Sequence, residues 1–198
     1  MVNLFENGFP KELRTDMSVV EKYISGKTYN NIKNGQTEEL CTYILQNGET
    51  VSFPYRIYYI EDNVSVLSEL TQTQRIIYHA VYTRSCDGFV REKHLKELFE
   101  SEMPEWIYPY ILKLSDEYVI EIVECIYGEL CLRNTDLLKK FCFLNLNQFL
   151  KSHARMISYW NEYHRNRCYR YRNYVGRRLF KECFGYSRRL EKLRKVVL

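Results

Sequence analysis

Two stretches decide the fold, RSCDGFVRE at residues 84–92 and KLSDEYVIE at residues 113–121. They align at a shift of 29 residues, with a basic residue first, aspartate fourth, an aromatic residue sixth, valine seventh and glutamate ninth in each. Apolar residues recur every three or four positions on both sides of each stretch, which is typical of amphipathic helices. Residues 71–130 therefore predict two copies of a helix–turn–helix unit.

The predicted helices begin at polar capping residues and bury their apolar positions. The first starts at Thr71 or Thr73, and the second runs from Phe89 to about Glu100. Pro104 opens the third, where its missing N–H costs little. Trp106 and Tyr110 have the spacing of core residues in that helix. The fourth has an apolar series that reaches Leu130.

The turn at residues 87–92 resembles the inter-helix turn of HEAT repeats, in which aspartate precedes Val-Arg at the start of the second helix. Residues 116–121 are similar, but Ile120 stands where the family prefers arginine, which weakens the Asp–Arg ladder between repeats. The resemblance covers about residues 71–130 and implies an α-solenoid. HEAT proteins mostly bind proteins or nucleic acids, and a few related glycosylases act on DNA bases.

Two repeats do not make a solenoid, so the flanking segments are expected to cap them. We predict an all-α chain with an irregular helical segment at residues 1–62, HEAT-like antiparallel helix pairs at 63–146 and basic helices at 147–198, in one continuous domain. Thr37 is predicted to start a helix with Leu40 and Ile44 on one face. Residues 49–60 alternate like a strand, but Pro54 and the lack of a visible partner strand favour a loop and a helix. Asn147 is predicted to start a helix that reaches Tyr174.

Composition and motifs narrow the class of protein. Among 198 residues, 45% are hydrophobic, which suffices for a core without metal or disulfides. The seven cysteines are odd in number and lack Cys-x-x-Cys spacing, which favours reduced, buried thiols. The four histidines fit no metal spacing, and no phosphate loop or catalytic motif occurs. We expect a cytoplasmic protein that has no cofactor, crosses no membrane and is not an enzyme.

Charge divides the chain. Residues 151–198 hold 14 Lys and Arg against 3 Asp and Glu, whereas residues 1–150 hold 15 against 22. Arginines and tyrosines are interleaved in the basic part, and guanidinium groups pair with phosphates or carboxylates and stack on flat rings. This pattern is typical of a nucleic-acid or acidic-protein surface, but also of the solvated face of a helix. The candidate binding residues are Arg165, Arg167, Arg170, Arg172, Arg177, Arg178, Tyr169 and Tyr108.

These features favour a protein-binding α-solenoid. Small helical-repeat proteins of this kind are similar to immunity proteins or antitoxins, which neutralise a toxin by binding it, and the acidic part of this chain suits a basic toxin. The alternative is a nucleic-acid-binding protein that uses the Arg/Tyr-rich C-terminal region. A HEAT-like DNA glycosylase is a third reading, although no motif assigns its catalytic residues. The oligomeric state stays open.

Overall fold

The computed structural model describes residues 5, 7–24, 26–32, 35–61 and 64–197. The chain forms two compact units: unit 1 comprises Met1–Tyr43 and Asn47–Trp106, and unit 2 comprises Ile44–Gln46 and Ile107–Leu198. The described part is predominantly helical and contains one two-stranded sheet. None of its helices is long and apolar enough to cross a membrane.

Unit 1 contains three α-helices among its described residues and most of the sheet. Its elements are α1 (Arg14–Glu21), β1 (Leu40–Ile44), β2 (Thr50–Pro54), α2 (Gln72–Tyr82) and α3 (Gly88–Phe99). β1 and β2 pair around a tight turn in which Gly48 has a φ of 85°, a backbone conformation that glycine adopts without strain. Only the last residue of β1, Ile44, is grouped with unit 2.

The sheet corrects two sequence predictions, the helix that starts at Thr37 and the loop and helix at residues 49–60. Burial in β1 alternates with period two, and Val51 and Phe53 of β2 are fully buried. The apolar positions of residues 40–45 fit a helical face as well as a strand, so sequence spacing hid the partner strand. Pro54 is the last residue of β2, where its missing N–H interrupts no ladder.

The predicted helices α2 and α3 are confirmed. Thr71 and Gln74 form a reciprocal capping box at the start of α2. Asp87 accepts hydrogen bonds from the backbone N–H groups of Phe89 and Val90 and caps α3. Between the helices, the buried Arg84 guanidinium donates to the Tyr55 carbonyl, so this basic residue anchors the turn rather than facing solvent.

Unit 2 consists of helices joined by short turns. They are α4 (Tyr108–Leu114), α5 (Ile120–Leu130), α6 (Asp136–Leu144), α7 (Leu146–Tyr159), α8 (Val175–Arg178) and α9 (Arg188–Val197). The side chain of Asn145 bonds to both the N–H and the carbonyl of Ile44 at 2.8 Å, which ties residues 44–46 to this unit. The apolar spacing of residues 137–142 predicts an inward face that includes Leu137, but this side chain is 52% exposed.

The helix predicted to run from Asn147 to Tyr174 is too long. The α-helix ends at Tyr159, a π-helical turn follows at Trp160–His164, and residues 165–170 leave the helix. Trp160 and His164 continue the three- and four-residue spacing of apolar positions in α7 because they pack beneath the departing loop, not because the α-helix continues.

The two copies of the repeated turn are stabilised by different contacts. Asp87 is a helix cap, whereas the aligned Asp116 forms an ion pair with Lys113 at 2.9 and 3.0 Å. Both partners of that pair are buried. α5 starts at Ile120 without a side-chain cap. The residue types repeat, but the contacts they make do not.

The seven cysteines are free thiols. Cys41, Cys142 and Cys183 are buried, and burial raises the pKa of the last to about 11. The prediction of buried thiols is correct for these three and wrong for Cys131, which is exposed.

Candidate binding surface: the arginine loop

Residues 165–173 of unit 2 form a loop that we call the arginine loop. The π-helical turn Trp160–His164 precedes it, and the 3-10 turn Tyr171–Asn173 closes it. The Trp160 indole N–H donates to the Cys168 carbonyl at 2.9 Å. The backbone N–H groups of Arg167 and Cys168 both donate to the His164 carbonyl. The first half of the loop is therefore held by hydrogen bonds to the turn before it.

A layer of aromatic rings supports the loop from below. Trp160 packs against Tyr171 with centroids 4.9 Å apart, and His164 stacks on Tyr174 at 5.7 Å. His164 Nε2 lies 2.9 Å from the Tyr118 carbonyl oxygen and donates to it. Burial raises the pKa of Tyr171 to about 12 and that of Tyr174 further, so both rings stay neutral. These contacts give the loop a fixed base of aromatic rings.

The arginines of the candidate site differ in what they contact. Arg165 lies over the rings of Trp160 and Tyr169, at 6.0 and 5.9 Å from their centroids, and donates to Asn161. Arg177 lies over Tyr171 and donates to the backbone carbonyl of Arg172. These arginines help to build the loop as well as to charge it.

Arg178 belongs to a different cluster. Its guanidinium lies 4.5 Å from the ring centroid of Tyr127, donates to the hydroxyl of that tyrosine and pairs with Glu182 at 3.7 Å. The neighbouring carboxylate occupies this guanidinium, so the residue is a poor candidate for binding a partner.

Arg167, Arg170 and Arg172 are exposed and have no side-chain hydrogen bond or ion pair within the described part of the chain. Tyr169 lies among them and is 76% exposed. The structure thus brings three unpaired guanidinium groups and an exposed ring onto one fixed loop. Such a surface attracts negative charge at long range and offers flat stacking faces at contact.

A cluster of tyrosines, which we call the tyrosine cluster, is tied to the same scaffold. It consists of Tyr118, Tyr159 and Tyr163. The ring centroid of Tyr118 lies 6.1 Å from that of Tyr159 and 5.9 Å from that of Tyr163, and the last two are 5.9 Å apart. Tyr118 is 50% and Tyr163 58% exposed. Tyr118 was not a candidate in the sequence analysis. The sequence did contain a hint, since Tyr118 aligns with Phe89 in the repeated turn. Both side chains are exposed, so the repeated aromatic residue has no role in the core.

Tyr108 does not join the arginine loop. It lies at the start of α4, is half-buried and packs edge-on against Phe141 with centroids 6.0 Å apart. Trp106 and Tyr110 are buried, as predicted from their spacing. Trp160 is only half-buried and supports the loop instead.

Other parts of the described chain offer less. No group of three His, Cys, Asp or Glu side chains that could hold a metal occurs among the described residues. A shallow cleft of about 460 Å³ in unit 1 lies between the start of α1 and the β1–β2 turn, with Lys11, Arg14 and Glu49 in its walls. The mixed charges of that cleft favour no particular ligand.

Comparison with protein-family models, curated proteins and solved structures found no match.

Proposed function

We propose that this protein acts by binding a partner protein, and that the arginine loop with the tyrosine cluster contacts an acidic face of that partner. The observation that carries the proposal is the set of three exposed guanidinium groups, at Arg167, Arg170 and Arg172, that have no carboxylate partner in the described residues. Arginine and tyrosine are the residue types on which interface energy concentrates. A loop already held in place loses little conformational entropy on binding.

The test compares two variants of equal charge. In one, Arg167, Arg170 and Arg172 are replaced by serine. In the control, the exposed Arg188, Arg189 and Lys192 of unit 2 are replaced by serine. Partners that the native protein captures should be lost from the first variant and retained by the second. Equal retention by both would contradict the proposal, and equal loss would reduce the effect to net charge.

A second candidate is a single-stranded nucleic acid, favoured by the exposed rings of Tyr118, Tyr163 and Tyr169 beside the guanidinium groups. Successive bases stack on such rings, and phosphates pair with the arginines. Three phosphate contacts give a slope of about −2 in a plot of log affinity against log salt for a single strand. Fluorescence anisotropy with labelled single-stranded RNA and duplex DNA decides between the candidates. Binding of single strands that is lost in the loop variant alone supports this second candidate.

Two narrower proposals concern architecture and biology. The first is that the helix pairs α2–α3 and α4–α5 are each a HEAT-like repeat; its support is the alignment at a 29-residue shift. The second is that the partner is a toxin and that the protein is its immunity protein or antitoxin. Its support is the opposite charge of the two parts of the chain. Co-expression with a toxin encoded beside the gene tests it: survival of the host supports the proposal, and death of the host refutes it.

A further inference from the structure

Three polar side chains of unit 1 contact one another in a row, and none of them belongs to the arginine loop. His79 of α2 and His94 of α3 face each other with their Nδ1 atoms 2.8 Å apart. On the other side of the second ring, His94 Nε2 lies 3.1 Å from a Glu61 carboxylate oxygen. Both histidines and the carboxylate are buried. This row of side chains therefore connects the segment at Glu61 to helices α2 and α3.

The contacts assign the protons. A carboxylate only accepts hydrogen bonds, so His94 Nε2, which lies 3.1 Å from Glu61, carries a proton, although the contact lacks the alignment of a good hydrogen bond. In a neutral ring the Nδ1 atom of His94 is then an acceptor, and His79 Nδ1 must donate to it. One proton lies between the two Nδ1 atoms. A first added proton leaves this hydrogen bond intact, because it binds to His79 Nε2, which carried no proton before. A second makes both Nδ1 atoms donors that face each other at 2.8 Å.

We propose that the Glu61–His94–His79 chain is a proton-operated lock on the α2–α3 pair, which stays closed with one added proton and is forced open by a second. The two Nδ1 atoms are in direct contact at 2.8 Å, and among the described residues no other group bonds to either of them. Tyr78 and Tyr82 cover the rings, with the Tyr82 ring stacked on His94 at 5.0 Å.

The surrounding charges act in the same direction. Burial and, after it, the charges of His94, Lys93 and Arg75 together lower the pKa of His79 to about 4, although the charge of Glu61 raises it. Lys93 donates to both Glu61 oxygens at 2.9 Å and shares that carboxylate with His94. In the unfolded protein the side chain of His79 titrates near pH 6.5. The unfolded or opened state therefore binds one more proton than the closed state as pH falls from about 6.5 towards 4, and the closed state loses stability over that window.

The experiment is amide hydrogen exchange of the whole chain at several pH values, corrected for the intrinsic exchange rate. The opening constant of amides in α2 and α3 should rise about tenfold per pH unit between pH 6 and 4.5, since one extra proton is bound on opening. His79→Asn keeps a donor near the position of Nδ1 but does not titrate, so its profile should be nearly flat. A flat profile in the native chain, or an unchanged slope in H79N, would overturn the proposal.

A matched control is His153→Asn. His153 is also buried, and burial lowers its pKa to about 4, but it stacks on Tyr186 and lies in unit 2. This variant should leave the pH dependence of α2 and α3 unchanged. If H79N fails to fold, nitrogen NMR of the native chain at pH 7 still decides. The lock requires the Nε2–H tautomer at His94 and the Nδ1–H tautomer at His79, and the Nε2–H form at both would refute it.

Discussion

The same substitution at the two aligned aspartates should change the free energy of unfolding by very different amounts. Asp87→Asn keeps a side-chain oxygen that accepts from the N–H groups at the start of α3, and asparagine caps helices about as well as aspartate. We expect it to change the free energy of unfolding by no more than about 0.5 kcal/mol. Asp116→Asn removes the carboxylate 2.9 Å from the Lys113 ammonium, where both groups are buried. Breaking a buried ion pair costs about 3–5 kcal/mol. Because the asparagine oxygen still accepts one hydrogen bond, we expect about 3 kcal/mol.

Each unit contains one tryptophan, which makes the assay specific. Trp106 reports on unit 1 and Trp160 on unit 2. Urea unfolding of D87N is followed by fluorescence in a Trp160→Phe background, and that of D116N in a Trp106→Phe background. With a denaturant slope of about 1–2 kcal/mol per molar, 3 kcal/mol moves the midpoint for unit 2 by about 1.5–3 M. The midpoint for unit 1 should hardly move in D87N.

A loss of less than about 1 kcal/mol in D116N, or an equal loss in D87N, would contradict the different roles of the two aspartates. A double variant, Lys113→Met with Asp116→Asn, separates charge from packing. Because it removes both charges, it should recover at least half of the loss in D116N. Failure to recover would mean that the aspartate acts through its shape in the turn rather than through its charge.

Three further predictions concern the loop, acid stability and a close backbone contact. Trp160→Phe removes the hydrogen bond to the arginine loop, worth about 1 kcal/mol, and should speed trypsin cleavage within the loop about fivefold, while Tyr163→Phe should not. Burial alone would raise the pKa of Glu61, but hydrogen bonds and charges from its two basic neighbours outweigh it and lower the pKa to about 2. Glu61→Gln should therefore cost about 2–3 kcal/mol at pH 7, and the difference from the native chain should shrink as pH falls below about 4.5, as measured by urea unfolding. A Cβ on Gly176 would lie 2.6 Å from a tyrosine ring, so Gly176→Ala should cost about 1–3 kcal/mol of stability. A Cβ on Gly128 would meet nothing within 4 Å, so Gly128→Ala should stabilise α5 by about 0.5–1 kcal/mol. Thermal unfolding measures both.

The amino-acid sequence predicts only part of the candidate binding surface. The sequence predicted the arginine-rich segment, and the structure leaves Arg167, Arg170 and Arg172 exposed. It did not predict that Arg178 is occupied by Glu182, or that Tyr108 lies apart from the loop. Spacing along the chain says nothing about a carboxylate or a ring that comes from a different turn, and those neighbours decide which guanidinium groups remain available.

Sequence alone determined the helices in which propensity, capping and apolar period agree, as at Thr71 and Asp87. It did not determine β1, because residues 40–45 satisfy both a helical and a strand period, and only pairing with β2 selects the strand. It also did not determine the end of α7, where hydrogen bonds from the loop replace those of the helix. The meeting of His79 and His94 needed α2 packed on α3. Local preferences act over a few residues, whereas these outcomes depend on contacts between segments that only the tertiary structure brings together.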